Sequence, residues 1–190
     1  MNNRISAGML HSVIIRQDGT LHSWGDNNVQ QVSGTPKGSG FISVYAGTYH
    51  SIVSKCDKTL HSWGDDEHRQ ISGTLKGSGF TAVCAGQLCS TALSHDGTLH
   101  SWECPRYGDA LAIPKGPGFI AACDSGWSFL ALRYDGYLRA CGDDTYKQVS
   151  NCPNGPDFVA VSAGLYHFVA LNKDGSLHSW GNDEHRQVSN

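Results

Sequence analysis

The chain repeats itself every 39 residues, without insertion or deletion. Five aspartates keep this spacing, each followed three residues later by a leucine: Asp18, Asp57, Asp96, Asp135 and Asp174. A fixed period of this length is typical of proteins built from copies of one structural unit, which bury their apolar faces against one another. The 190 residues therefore predict one domain, 1–190, made of five units at about 1–34, 40–73, 79–112, 118–151 and 157–190.

Each unit predicts four short β-strands. In the second unit they are Phe41–Ala46, His50–Ser54, Thr59–Trp63 and Arg69–Ser72. Other units place Asp-Gly between the second and third strands, a strong hairpin signal. Four antiparallel strands in about 40 residues are typical of a propeller blade. The sequence therefore predicts an all-β fold, a five-bladed β-propeller of four-stranded antiparallel blades, with a parallel β-helix as the structural alternative.

Several segments carry a family signature. They are Ala46-Gly-Thr-Tyr-His-Ser51, Asp96-Gly-Thr-Leu-His-Ser-Trp102, and Trp63-Gly-Asp65 followed by Gln70-Ile71. With these segments the chain resembles the regulator of chromosome condensation (RCC1) repeat family along its whole length. The resemblance implies a β-propeller and an interaction scaffold. The guanine-nucleotide exchange and chromatin docking of the founding member are not carried over, because no insertion could act as an exchange wedge and no basic arm is present.

Composition excludes some partners. A net charge of −3 argues against a nucleic-acid-binding protein, which usually presents a basic face. No apolar run approaches the ~18 residues needed to span a membrane. The N-terminal Met-Asn-Asn-Arg lacks the apolar core of a signal peptide, and the seven cysteines are odd in number. We therefore expect reduced thiols, an intracellular (cytoplasmic) location and a monomer.

One face of the predicted propeller is chemically rich. Because strand direction alternates, the turn after each first strand and the loop after each third strand lie on the same face. Aromatic, acidic and imidazole side chains meet there, a mixture that suits a protein hot spot or a sugar. The ligand-face candidates are Tyr49, His68, Arg69, Arg106, Tyr107, Asp124, Trp127, Tyr146, Tyr166, His185 and Arg186. The leading aspartates of the loops, Asp26, Asp65 and Asp143, are expected to cap their turns.

Two other recurring sets are interpreted as structural. They are Trp24, Trp63, Trp102 and Trp180, and the histidines His11, His50 and His167, which share a repeat position with Cys89 and Ser128. Three imidazoles and a thiol are suitable zinc ligands, but equivalent atoms around a propeller axis would have to converge within about 2 Å of one metal. The resemblance instead implies histidines that bond between strands or blades. The sequence predicts no metal site and no cofactor.

The repeat loses its symmetry in one region. Arg106, Tyr107, Asp124 and Trp127 are unique residues on the rich face, and they form the candidate for a single binding site. Every Ser, His and Asp that could form a catalytic triad occurs in several copies, so we predict no enzyme. The predicted function is a non-enzymatic scaffold for a protein partner. A multivalent, lectin-like propeller with glycan sites near His68 and His185 is the alternative, and a GTPase exchange factor, by resemblance alone, is the second.

Overall fold

The structure is a computed structural model that describes residues 3–86, 89–102 and 113–189. The chain divides into two compact units, residues 1–95 with 100–106 and residues 96–99 with 107–190. Every regular element in the described ranges is a β-strand, so the all-β prediction is confirmed. No helix long and apolar enough to cross a membrane occurs among these residues. The single domain over 1–190 stays a prediction.

Strands are grouped three at a time into five antiparallel sheets, in chain order. The first three sheets contain β1 (Ile5–Ala7), β2 (His11–Ile15) and β3 (Leu21–Gly25); β4 (Phe41–Ala46), β5 (His50–Lys55) and β6 (Leu60–Gly64); β7 (Phe80–Ala85), β8 (Ser90–Ser94) and β9 (Leu99–Trp102). The fourth and fifth contain β10 (Phe119–Asp124), β11 (Ser128–Arg133) and β12 (Leu138–Gly142); β13 (Phe158–Ala163), β14 (His167–Asn172) and β15 (Leu177–Gly181). The central strand of each sheet is the second strand of its repeat.

The predicted fourth strand is wrong. In the second repeat Arg69 has a positive φ of 62°, which a strand does not allow. The Oδ1 atom of Asp66 accepts hydrogen bonds of 2.8 Å from the amides of Ile71 and Ser72. The amide of Gly73 then turns back to the carbonyl of Arg69 at 2.8 Å. Because these amides are satisfied locally, the segment forms a capped turn, and the described sheets have three strands.

Both faces of an inner sheet are buried, because neighbouring side chains on a strand point to opposite faces. Val53 of β5 lies in an apolar cluster with Val13 of the first sheet. Ile52, the preceding residue, lies in a second cluster with Val83 of the third sheet. In the second unit a third cluster joins the fourth and fifth sheets, through residues such as Leu130 and Phe168. Within each unit, consecutive sheets therefore stack through alternating apolar side chains.

Two kinds of hydrogen bond join consecutive sheets at these contacts. Three tryptophans donate their indole N–H to the main-chain oxygen of a glutamine 32 residues earlier: Trp63 to Gln31 at 2.8 Å, Trp102 to Gln70 at 3.1 Å and Trp180 to Gln148 at 2.8 Å. Two histidines bond through Nε2 to a serine hydroxyl of the following repeat, His11 to Ser51 and His50 to Ser90, each at 2.8 Å. We call this combination of apolar contacts and polar bonds the sheet junction.

Candidate protein-binding surface

The turn after each first strand and the loop after each third strand lie at the same end of the sheet. In the fourth sheet the amide of Asp143 donates to the carbonyl of Trp127 at 2.8 Å. In the fifth sheet the amide of Asn182 donates to the carbonyl of Tyr166 at 2.9 Å. Each of these sheets therefore presents an aromatic turn beside a polar loop at one end, as the alternation of strand direction predicts.

The loop of the fourth repeat, which carries Tyr146, is held by its own side chains. The Oδ1 atom of Asp144 accepts from the amides of Val149 and Ser150 at 2.8 and 2.9 Å, and these bonds, that from Ser150 foremost, lower the pKa of Asp144. The side chain of Gln148 is fully buried, and its Oε1 accepts the amide of Tyr146 at 2.8 Å. The backbone that presents the Tyr146 ring is therefore preorganised.

Tyr146 and Tyr166 come from consecutive repeats of the second unit and lie against each other. Their ring centroids are 5.4 Å apart, with the ring planes tilted by 49°. Both side chains are half-buried. Tilted aromatic pairs at this distance are stabilising beyond the area that they bury, so the two rings form a firm, partly open apolar platform. The sequence named both residues as candidates, but it did not predict that their rings are in contact.

A carboxyl group occupies an unusual place at the same end of the fourth sheet as Tyr146. Asp124 ends β10, at the position where the other four repeats have alanine: Ala7, Ala46, Ala85 and Ala163. Burial raises its pKa to about 7, although the amide of Gly126, 2.6 Å from Oδ1, opposes the shift. Within residues 3–86, 89–102 and 113–189, no cation contributes to that pKa. Ionisation of Asp124 is therefore costly, because none of these residues offsets its desolvation with a positive charge.

Cys141 replaces the tryptophan of the other repeats in the strand next to Trp127. It lies across β11 from Asp124, because Phe129 pairs with both residues. Burial, and then the charge of Asp124, raises the pKa of the Cys141 thiol to about 12, so the thiol stays protonated at neutral pH. A neutral thiol is a poor nucleophile. The smaller side chain therefore changes the shape of this end of the sheet rather than adding reactive chemistry.

We call Asp124, Trp127, Tyr146 and Tyr166 the aromatic surface. All four lie at the same end of the fourth and fifth sheets, in the second unit. Trp127 is half-buried, like the two tyrosines. The predicted single site also included Arg106 and Tyr107, which lie outside the described residues. The structure thus adds Tyr146 and Tyr166 to the described part of the predicted patch.

The remaining candidates lie elsewhere. Tyr49, His68 and Arg69 belong to the first unit, where Tyr49 and His68 are half-buried and Arg69 is exposed. His185 and Arg186 are exposed in the last loop of the second unit. The sequence assigned Arg69 and Arg186 no role in their turns. In the structure their backbones have φ values of 62° and 59°, so both occupy a left-handed turn position.

Sequence reasoning missed the glutamines. Gln31, Gln70 and Gln148 are fully buried, and each accepts the indole of the next repeat through its main chain. Their side chains also bond the leading aspartate of the loop, as Gln31 does to Asp26 at 2.9 Å. The signal was present, because glutamine recurs at 31, 70, 148 and 187 with the same spacing as the tryptophans.

The buried histidines belong to sheet junctions. Burial lowers the pKa of His50 to about 4, with the charge of Asp65 opposing the shift, so the ring is neutral at pH 7. Burial also lowers the pKa of His11. The Nε2 atom of each ring forms its hydrogen bond with a serine hydroxyl and not with another imidazole. In the part of the chain that the structure describes, no group of three His, Cys, Asp or Glu side chains could hold a metal ion.

The prediction of reduced cysteines needs one correction. Cys89 is disulfide-bonded, so it is not a thiol available to the histidine set. Cys56, Cys84, Cys123, Cys141 and Cys152 are not in disulfides. An odd total therefore does not imply that every cysteine is reduced, since one pair leaves an odd number of thiols behind.

Comparison with known families agrees with the repeat and its junctions. The profile of the regulator of chromosome condensation (RCC1) repeat matches residues 4–31, 41–70 and 158–187. These segments are RCC1 repeats. They include His11 and Ser51, the hydrogen-bonded pair between the first two sheets, and the buried glutamines Gln31 and Gln70. Comparison with curated protein sequences gives no match.

Several solved structures are similar to this chain, among them yeast RCC1 (Prp20). Prp20p from Saccharomyces cerevisiae is 19% identical, with a TM-score of 0.79 over 97% of this chain and 59% of its own. The ectodomain of the receptor kinase CR4 from Physcomitrella patens is 22% identical, with a TM-score of 0.78 over 94% and 49%. Human WBSCR16 is 17% identical, with a TM-score of 0.76 over 95% and 62%. The chain thus spans about half to two thirds of these proteins.

Proposed function

We propose that this chain is a non-enzymatic protein-interaction module, and that the aromatic surface of its second unit binds the partner. One observation carries the proposal. The Tyr146–Tyr166 ring pair lies at the same sheet end as Asp124, a carboxyl placed where four other repeats have alanine. A partly open aromatic platform with one poised charge is the composition of an interaction hot spot.

The chemistry of the surface indicates what the partner offers. Asp124 has a backbone amide near it but no cation among the described residues that interact with it, and its pKa is raised to about 7 by burial. An arginine or lysine of a partner would favour the ionised carboxylate and offset its desolvation. The faces of Trp127, Tyr146 and Tyr166 would favour the same cation through their π-electrons. We therefore propose a protein segment with a basic side chain as the ligand.

Similar structures give this proposal a precedent. Yeast RCC1 (Prp20) has been solved bound to Kap60, and another structure of Prp20p is described with its binding properties to Gsp1p and histones. Those proteins are partners of Prp20p. What comes to this chain is the expectation that an RCC1-repeat fold serves protein binding, with the sheets as blades of a propeller. No exchange activity is proposed, since the chain covers 59% of Prp20p.

The test compares captured partners among matched variants. The chain is coupled to a support and exposed to extract from its native source, as the wild type, as a Tyr146→Ala/Tyr166→Ala double variant and as Asp124→Asn. Tyr134→Ala is the control, because Tyr134 is an exposed tyrosine next to the hairpin between β11 and β12, at the opposite end of the fourth sheet. The proposal expects proteins that are retained by the wild type and the control but lost from the double variant.

A second measurement distinguishes protein binding from the alternative, sugar binding. A glycan array followed by calorimetry reports sugar binding and its stoichiometry. Several equal sugar sites that survive the Tyr146→Ala/Tyr166→Ala change would overturn the proposal in favour of a lectin. Identical sets of captured proteins for the wild type and the double variant would overturn the aromatic surface as the site.

A further inference from the structure

The first sheet exposes an apolar face that inner sheets bury. In the second sheet Val44, Val53 and Trp63 face the preceding sheet and are 0%, 0% and 4% exposed. The equivalent residues of the first sheet, 39 positions earlier, are Ile5, Ile14 and Trp24. Ile5 is 66% exposed, Trp24 is 45% exposed and Ile14 is partly exposed. The side chains of a sheet junction are therefore present here without the sheet that would cover them.

The fifth sheet exposes the opposite half of the same junction. Leu60 and Leu138, which face the following sheet in their repeats, are 7% and 3% exposed. Leu177, at the equivalent position of the fifth sheet, is 70% exposed. Val169, the equivalent of the fully buried Ile52, is also partly exposed. We call the face of Ile5, Ile14 and Trp24 the leading face, and the face of Val169, Leu171 and Leu177 the trailing face.

The donor and the acceptor of a further indole hydrogen bond lie on different faces. No hydrogen bond to the Trp24 indole occurs within residues 3–86, 89–102 and 113–189, and the ring stacks only on His22 at 5.5 Å. The trailing repeat contains Gln187, the equivalent of the three glutamines whose carbonyls accept an indole. Gln187 is half-buried, whereas those three are fully buried. The donor without an acceptor and the spare acceptor thus lie on opposite faces.

The histidine and the serine of a further junction pair also lie on different faces. His167 is equivalent to His11 and His50, but among the described residues its ring makes no hydrogen bond, and it is half-buried. Ser12, on the leading side, is equivalent to Ser51 and Ser90, the two serines that form a hydrogen bond with a histidine. Both unpaired groups match the residue types that pair inside the chain. The leading and trailing faces therefore carry matching apolar side chains and matching hydrogen-bonding groups.

We propose that the trailing face of one molecule binds the leading face of a second copy of this chain. The contact continues the sheet junction seen within the chain: Leu177 and Val169 would cover Ile5, Ile14 and Trp24. Trp24 would donate to the carbonyl of Gln187, and His167 would bond to Ser12. The trailing face of this chain offers the two groups that Trp24 and Ser12 lack, so the occupant that we assign is a second copy. Such an association is head-to-tail, not two-fold symmetric, and it replaces the monomer expected from the sequence.

The experiment is sedimentation velocity over a wide range of concentration. The wild type is compared with Ile5→Glu, which spoils the leading face, and with Leu177→Glu, which spoils the trailing face. Both residues are already exposed, so neither change buries a charge within one molecule. Ile120→Glu is the control, because Ile120 is an exposed isoleucine of an inner sheet, 52% exposed. We expect the wild type and the control to associate as concentration rises, and each single variant to sediment as one chain.

Mixing the two variants gives the sharper result. Ile5→Glu retains an intact trailing face, and Leu177→Glu retains an intact leading face. A head-to-tail contact predicts a discrete 1:1 complex in the mixture, although each variant alone is monomeric. Trp24→Phe on top of Leu177→Glu should weaken that complex about 5- to 10-fold, the loss expected for one indole hydrogen bond.

Three results would overturn the proposal. The wild type could stay monomeric at every concentration, with tryptophan emission showing Trp24 either exposed or covered by its own chain. The single variants could associate as strongly as the wild type. The mixture could remain monomeric while the wild type associates, which would indicate a like-with-like contact instead.

Discussion

The indole nitrogen of Trp63 donates a hydrogen bond of 2.8 Å to the carbonyl oxygen of Gln31, a residue of the preceding repeat. Both residues are buried. Hydrogen bonds within its own loop, such as that from the amide of Val32 to Asn27, hold the carbonyl of Gln31 in place. The bond therefore ties the loop of one repeat to the third strand of the next, and it recurs at Trp102 and Trp180.

Removal of an indole N–H should destabilise the protein only where a carbonyl oxygen accepts its hydrogen bond. Trp63→Phe keeps an aromatic ring but leaves the Gln31 carbonyl without a donor, which should cost about 1–3 kcal/mol of unfolding free energy. Trp24→Phe is the matched control, since Trp24 is exposed and its indole has no acceptor among the described residues. Urea unfolding at low protein concentration measures both. Equal losses at the two positions would contradict the account.

Burial of His50 should make stability fall in acid. Its pKa is about 4 in the folded protein and 6.5 as a reference, so the unfolded chain takes up the proton first as pH falls. The stability contributed by the neutral ring is fully present above pH 6.5 and is lost between pH 6.5 and 4, by about 3 kcal/mol. His50→Gln, which does not titrate, should lose less over this window. Parallel pH profiles of the unfolding free energy would show that His50 is not responsible.

Ionisation of Asp124 should make stability fall as the pH rises, opposite to the effect of His50. Burial raises its pKa from 3.8 to about 7, so the unfolded chain loses the proton first as pH rises. The contribution of Asp124 to stability is therefore greatest below pH 3.8 and falls as the pH rises to 7, by about 2–4 kcal/mol. Asp124→Ala restores the residue of the other four repeats and should be more stable than the wild type at pH 8 but not at pH 4. Asp124→Asn controls for shape, and a variant that is less stable at both pH values would refute the prediction.

Two glycines separate backbone strain from steric contact. Gly64 has a φ of +112°, and a Cβ there would lie 2.5 Å from the carbonyl oxygen of Tyr49. Gly77 has a φ of +103°, but a Cβ there would meet nothing within 4 Å. Gly77→Ala should cost about 1–3 kcal/mol from strain alone, whereas Gly64→Ala should cost more and displace the turn that carries Tyr49. Thermal unfolding compares the two, and a smaller loss at Gly64 would argue against the close approach.

The period and the strands were readable because they depend on side-chain alternation. Phe41–Ala46 was predicted at its observed bounds, and His50–Ser54 and Thr59–Trp63 within one residue. The fourth strand failed because alternation at Arg69–Ser72 was not the deciding force. A side-chain oxygen of Asp66 binds the amides that a strand would need. An acidic or amide residue at this position of the loop recurs as Asn27, Asp66, Asp144 and Asp183, and that recurrence was the available signal.

The candidate site was predictable in part. The sequence indicated the face and named its aromatic residues, because strand direction determines which turns share an end. It could not indicate that Tyr146 and Tyr166 touch, since their contact depends on how two consecutive sheets stack. Nor could it assign the shifted pKa of Asp124, which follows from burial rather than from neighbours in the sequence.

The central claim is that specific side-chain bonds across sheet junctions hold these repeats together. A double-mutant cycle on His50 and Ser90 tests it most directly, because their 2.8 Å bond joins two repeats and both residues are buried. Unfolding free energies are measured for the wild type, His50→Ala, Ser90→Ala and the double variant. The account predicts a coupling energy of about 1 kcal/mol or more, with the double variant less impaired than the sum of the single changes. Strictly additive losses would contradict it.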